Sequence, residues 1–228
     1  SKETALKFAA ATREQGLDIY VTGITAYSTL GWFSDPLLNT MFTEDETYLA
    51  GLVFHELAHQ RFYVRNDTAF NEAFAVAVET SGVRKWLADR NDAAGLRRYE
   101  AERRRQAEFV ALLGEAREEL KAVYAGSGGE AEKRAAKAAA IERLRARYKR
   151  MRNGRWGGYS GYDAWFDGPI NNAKLAASGF YNGLVPDFER LFAACSGSYT
   201  DFYAAVARLG ALDRARRHEA LKAAKRCG

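Results

Sequence analysis

The sequence predicts a mainly α protein with a small β-sheet and an inserted antiparallel helical hairpin. Three observations carry that prediction. Apolar residues recur at helical spacing along most of the 228 residues. A single segment, Asp18–Thr29 (DIYVTGITAYST), is dense in β-branched and aromatic residues, and its Gly23 suits a bulge or bend. Two charged helical stretches, Leu96–Tyr124 and Glu130–Arg150, flank the turn Gly126-Ser127-Gly128-Gly129, whose composition favours flexibility.

Each element has a local cause. Lys2–Gln15 reads as a short amphipathic helix stopped by Gly16. Gly31–Leu38 (GWFSDPLL) is a loop by its Gly and its Asp-Pro step. Thr43 and Glu46 match a capping box that opens a helix from about Glu46 to Tyr63, with Leu49, Leu52, Val53, Leu57 and Phe62 on its buried faces. Arg65-Asn66-Asp67 breaks that helix, and Asp67 or Thr68 caps a second one ending near Asn91. Asn153–Gly168 is a Gly- and aromatic-rich loop, long enough to suggest a functional role. Asn171–Cys195, Ser198–Leu209 and Asp213–Arg226 close the chain as three helices. The expected organisation is a core of residues 1–95 and 151–228, with residues 96–150 as the inserted hairpin.

Composition removes several classes. Hydrophobic residues make up 47% and charged residues 28%, a globular balance. No apolar run approaches the roughly 18 residues of a membrane span. No secretory signal is visible at Ser1, and the lack of an initial Met suggests a processed or truncated form. Two cysteines, Cys195 and Cys227, exclude a disulfide-dense scaffold; they either pair or are both reduced. The net charge of +5 is concentrated: residues 96–150 hold 15 Lys/Arg against 9 Asp/Glu, and the remainder is close to neutral. Acids interleave with those cations and no aromatic platform accompanies them, so nucleic acid is not an expected partner. A solvated arm, or a surface for an envelope partner or a membrane, fits the 96–150 segment better.

His55-Glu56-Leu57-Ala58-His59 carries the chemistry. Residues four apart share a helix face, so two imidazoles can grip one metal ion. Zinc lowers the pKa of water toward about 7, and Glu56 is placed to take the proton. A third ligand is needed, and Glu72 is the candidate. His59 and Glu72 each lie about five residues from the intervening turn, roughly 7.5 Å, so they can face each other across a helix pair. Glu79 returns to nearly the same face but roughly 10 Å further on, where it is either an acceptor for a ligand histidine's N–H or a solvated surface residue. Tyr181, Tyr159 and Tyr162 could donate to an oxyanion, although packing roles are common for tyrosine. Asn171 and Asn172 either cap a helix or contact substrate.

The HELAH pentapeptide, followed by Asp67–Ala75 (DTAFNEAFA), resembles the gluzincin pattern of zinc metallopeptidases. More narrowly, those segments together with Ala26–Leu38 (AYSTLGWFSDPLL), Tyr162–Phe166 (YDAWF) and Pro169–Asn172 (PINN) resemble a bacterial family described as predicted aminopeptidases. The resemblance implies a zincin-like fold, zinc on two His and one Glu, and hydrolysis of peptide or protein substrates. It also implies export to the periplasm or cell envelope, often with a lipid anchor on an N-terminal portion that this chain lacks. An extended substrate could then add to the edge of the Asp18–Thr29 strand. The alternative is a non-catalytic, metal-containing envelope module that recruits partners through its hairpin.

Overall fold

The computed structural model describes residues 1–23, 45–178 and 183–227, and every regular element assigned among them is an α-helix. The chain divides into two compact units. One comprises residues 1–23 and 100–179, the other residues 24–99 and 180–228.

The first unit is built on the hairpin. Helices α4 (Ala93–Ala125) and α5 (Glu130–Asn153) flank the Gly-Ser-Gly-Gly turn, close to the sequence expectation. Their apolar seam, with Phe109, Leu113, Leu120, Leu144 and Tyr148, continues into Trp156, Phe166, Ile170 and Leu175. The aromatic-rich segment after α5 is therefore part of the hairpin's own core, where Tyr148 stacks on Phe166 and Phe109 on Tyr162. Charged pairs line the outside, Arg143 and Arg147 with Glu119 among them. Helix α1 (Lys2–Glu14) and the short helices α6 (Asp163–Asp167) and α7 (Asn172–Ala177) complete this unit.

The second unit surrounds α3 (Thr68–Asp89). Helix α2 (Glu46–Arg61) and α8 (Val185–Ala194) pack along it, and α9 (Tyr199–Gly210) and α10 (Arg214–Ala223) pack against α8 and each other. Phe70 and Phe74 of α3 are fully buried against Phe188 of α8, and Phe74 also meets Phe202 of α9. Burying an aromatic side chain of this size contributes about 2–3 kcal/mol, which makes α3 the axis of the unit. Cys195 and Cys227 form a disulfide that ties the chain after α10 to the end of α8.

The expected small β-sheet is overturned, because the described residues contain no strand. Residues 18–23 of the proposed strand carry no regular structure, and the rest of it lies outside the described residues. A side chain meets one backbone group that a neighbouring strand would have met, and the Asp18 side chain is engaged as well. The Ile19 carbonyl accepts from Asn171 Nδ2, and the Asp18 carboxylate takes Lys137 Nζ and the Asn172 N–H. β-propensity describes residues that suit a pleated surface, and no such surface forms here. The zincin-like core falls with the sheet, as does strand addition as a way of aligning substrate.

Smaller expectations also change. Asp45, rather than Thr43, caps α2 by accepting the Tyr48 N–H. Leu57 is 52% exposed instead of buried. The helix expected over Asn171–Cys195 is two helices, α7 and α8, and Pro186 sits in the first turn of α8, where its missing N–H costs nothing.

Candidate metal centre

The local sequence sets up a helix pair whose facing sides carry the titratable groups. Helix α2 ends at Arg61, and Phe62 leaves it in extended conformation. Asn66 turns the chain with a φ of 62°, a conformation that Asn tolerates better than most residues. Asp67 then caps α3 through the Phe70 N–H. The Asp67 carboxylate is itself held by Arg217 and by His218 Nε2 at 2.9 Å, both from α10. The two helices return antiparallel, so that His59 meets Glu72 while Gly51 lies beside Glu79 and Val83.

Four of the residues singled out in the sequence come together on this pair. His55 Nε2 and His59 Nε2 are 3.2 Å apart. Glu72 Oε2 is 3.4 Å from His55 Nε2, and Glu72 Oε1 is 3.6 Å from His59 Nε2. Glu79 Oε2 approaches the other nitrogen of the same ring, 3.1 Å from His55 Nδ1. Glu56 is half-buried on α2 and near enough to His59 to favour its protonated form.

Those spacings fit a metal ion. A tetrahedral ion with ligand bonds of about 2.0–2.1 Å holds its donor atoms about 3.3–3.4 Å apart. His55 Nε2 and His59 Nε2 lie at 3.2 Å, and the Glu72 carboxylate presents Oε2 to the first at 3.4 Å and Oε1 to the second at 3.6 Å, with one donor atom per residue falling within 4.8 Å of the others. Among the described residues this is the only group of three or more His, Cys, Asp or Glu so disposed. The chemistry of the donors agrees. Two imidazole nitrogens that face each other at 3.2 Å compete for one proton or share one cation.

The electrostatics report the same crowding. Burial opposes protonation of His55, but hydrogen bonds to Glu72 and Glu79 outweigh it and push its pKa up to about 9. Burial holds His59 below the usual histidine range, against the pull of Glu72 and with help from the neighbouring His55. The hydrogen bond from His55 keeps Glu72 ionised below the usual carboxylate range despite its burial. Two acids around two histidines form a net negative site that attracts a cation. Glu79 fixes the orientation of His55, whereas His59 Nδ1 is buried without a hydrogen-bond partner among the described residues.

Other candidates have different surroundings. Asn171 and Asn172 belong to the hairpin unit, where their polar groups are engaged. Asn171 caps α7 through the Lys174 N–H, and Asn172 Oδ1 accepts from Tyr124 Oη. Tyr159 lies under the Arg105 guanidinium, and burial pushes Tyr162, stacked on Phe109, up to about 12. Tyr181 lies outside the described residues, as does the Ala26–Leu38 segment. One contributor escaped sequence reasoning. Asn71 is almost wholly buried beside Glu72, and only its partner across the α2–α3 connection explains it.

No curated protein and no solved structure matches the chain. A family model described as "Putative aminopeptidase" matches residues 1–221, nearly the whole length. On that match the chain belongs to the aminopeptidase family so described.

Proposed function

We propose that this chain is a zinc-dependent peptidase that hydrolyses peptide bonds with Glu56 as its general base. The observation that carries the reading is the convergence of His55 Nε2, His59 Nε2 and the Glu72 carboxylate, whose two oxygens each lie within 3.6 Å of one of the two imidazole nitrogens. Two imidazoles and one carboxylate form a donor set of borderline hardness, which suits zinc. Bound there, zinc would supply a Lewis acid for the peptide carbonyl and lower the pKa of water toward about 7. The protein's own groups do the rest. Glu56 accepts the proton from the attacking water and returns it to the leaving amine. Glu72 offsets the cation's charge, and Glu79 holds His55 with Nε2 facing the ligand group.

Family membership supports peptide or protein as the substrate class, and removal of N-terminal residues as the first specificity to test. The Cys195–Cys227 disulfide supports an oxidising compartment such as the periplasm or cell envelope. The cation surplus of residues 96–150 supports contact with a membrane surface or an envelope partner.

The test is a digest of a defined peptide mixture read by mass spectrometry, with zinc content measured on the same preparation. Wild type should cleave and Glu56→Gln should not, at equal zinc content. Successive loss of N-terminal residues would identify an aminopeptidase, and internal cuts an endopeptidase. A wild type that cleaves equally well without metal would sink the reading.

A further inference from the structure

Asn71 stands immediately before Glu72 and is 1% exposed. Its side chain engages the connection between α2 and α3 rather than the histidines. Oδ1 accepts the Val64 N–H at 2.9 Å, and Nδ2 donates to the Val64 carbonyl at 2.7 Å. One amide thus satisfies both backbone groups of a single residue, as a neighbouring strand would. A carboxylate lacks the donor, and a hydroxyl is too short to span both groups. Consecutive helix residues project about 100° apart, so Asn71 can grip the connection while Glu72 faces the histidines.

The rest of the connection is tied down as well. The Phe62 N–H ends α2 on the Ala58 carbonyl, one residue before His59. Asp67, held from α10 by Arg217 and His218, starts α3 five residues before Glu72. Between these anchors the Asn71–Val64 pair sets how far the first turn of α3 lies from the last turn of α2. We infer that Asn71 is a positioning residue for the metal centre, fixing the height at which the Glu72 carboxylate meets His55 and His59. This inference rests on the metallopeptidase reading above.

The test is a double-mutant cycle on the full chain, with zinc affinity measured by competition against a chromophoric chelator. Cobalt(II) absorption reports coordination geometry, and urea unfolding of the metal-free proteins reports stability. Asn71→Ser should bind zinc about 10-fold more weakly, the lower end of what losing an outer partner of a metal ligand costs. Its cobalt spectrum should also lose intensity in the tetrahedral d–d band. In a Glu72→Gln background the same substitution should change zinc affinity by less than about 2-fold, because the group it positions is already gone. Asn71→Asp, nearly isosteric, guards against misfolding of the serine variant. Its added negative charge draws cations in, so weaker zinc binding there reports lost geometry. Wild-type affinity in both Asn71 variants, or an equal loss with and without Glu72, would overturn the positioning role. A wild type that binds no zinc would overturn the metallopeptidase reading itself.

Discussion

Glu72 and Glu79 both approach His55, and replacing each by Gln should separate their roles. Glu72 lies 3.4 and 3.6 Å from the two Nε2 atoms, where a cation would sit, whereas Glu79 meets only Nδ1, at 3.1 Å. Glu79→Gln keeps an oxygen that can accept from Nδ1–H but removes the charge. A charge-assisted hydrogen bond is roughly twice as strong as a neutral one, so about 1–1.5 kcal/mol should be lost at this half-buried position. That corresponds to about 10-fold in zinc affinity, within the 10–100-fold range for outer partners of metal ligands. Glu72→Gln removes a donor and a negative charge from the coordination sphere and should cost more than about 100-fold. Competition with a chromophoric chelator at pH 7.5 measures both. A Glu79→Gln loss equal to or larger than that of Glu72→Gln would refute the assignment of the third ligand.

Three further outcomes follow from the geometry. Glu56→Gln should retain zinc within about 2-fold and abolish peptide cleavage, because it removes a base without touching a donor atom; retained cleavage at equal zinc content would exclude Glu56 as the base. Asp67→Ala should destabilise the protein by about 3–5 kcal/mol in urea unfolding at pH 7, since it strands the buried Arg217 guanidinium and uncaps α3. Burial would raise the Asp67 pKa, but hydrogen bonds from Arg217 and His218 outweigh it and hold the carboxyl below the usual range. Its stabilisation is therefore complete above the unfolded pKa of about 3.9 and fades as pH falls through the lower folded value, so the acid limb of wild type should be steeper than that of Asp67→Ala. Reducing the Cys195–Cys227 bridge, whose partners are 32 residues apart, should lower stability by about 3–4 kcal/mol on chain-entropy grounds; an unchanged urea midpoint under reductant would show that the loop is held without it.

The sequence by itself determined the parts that depend on neighbours along the chain. Helical spacing, the Asp67 cap and the Gly-rich turn located α2, α3 and the hairpin to within a few residues, because capping and periodicity act within a turn or two. The i,i+4 spacing of His55 and His59 and the matched distances to the turn brought Glu72 to them, since a helix pair with a short connection leaves little freedom in register. Tertiary structure decided the rest. Residues 18–23 read as strand by composition, yet a strand exists only when a partner supplies its hydrogen bonds, and here the Asn171 side chain takes the Ile19 carbonyl. Trp156 and Phe166 lie in a segment that reads as a long loop, but the hairpin leaves an apolar seam that they fill. The burial of Asn71, the α10 residues gripping Asp67 and the pairing of Cys195 with Cys227 join positions 7, 150 and 32 residues apart. No local pattern encodes such contacts, because they form only once the helices have packed around α3.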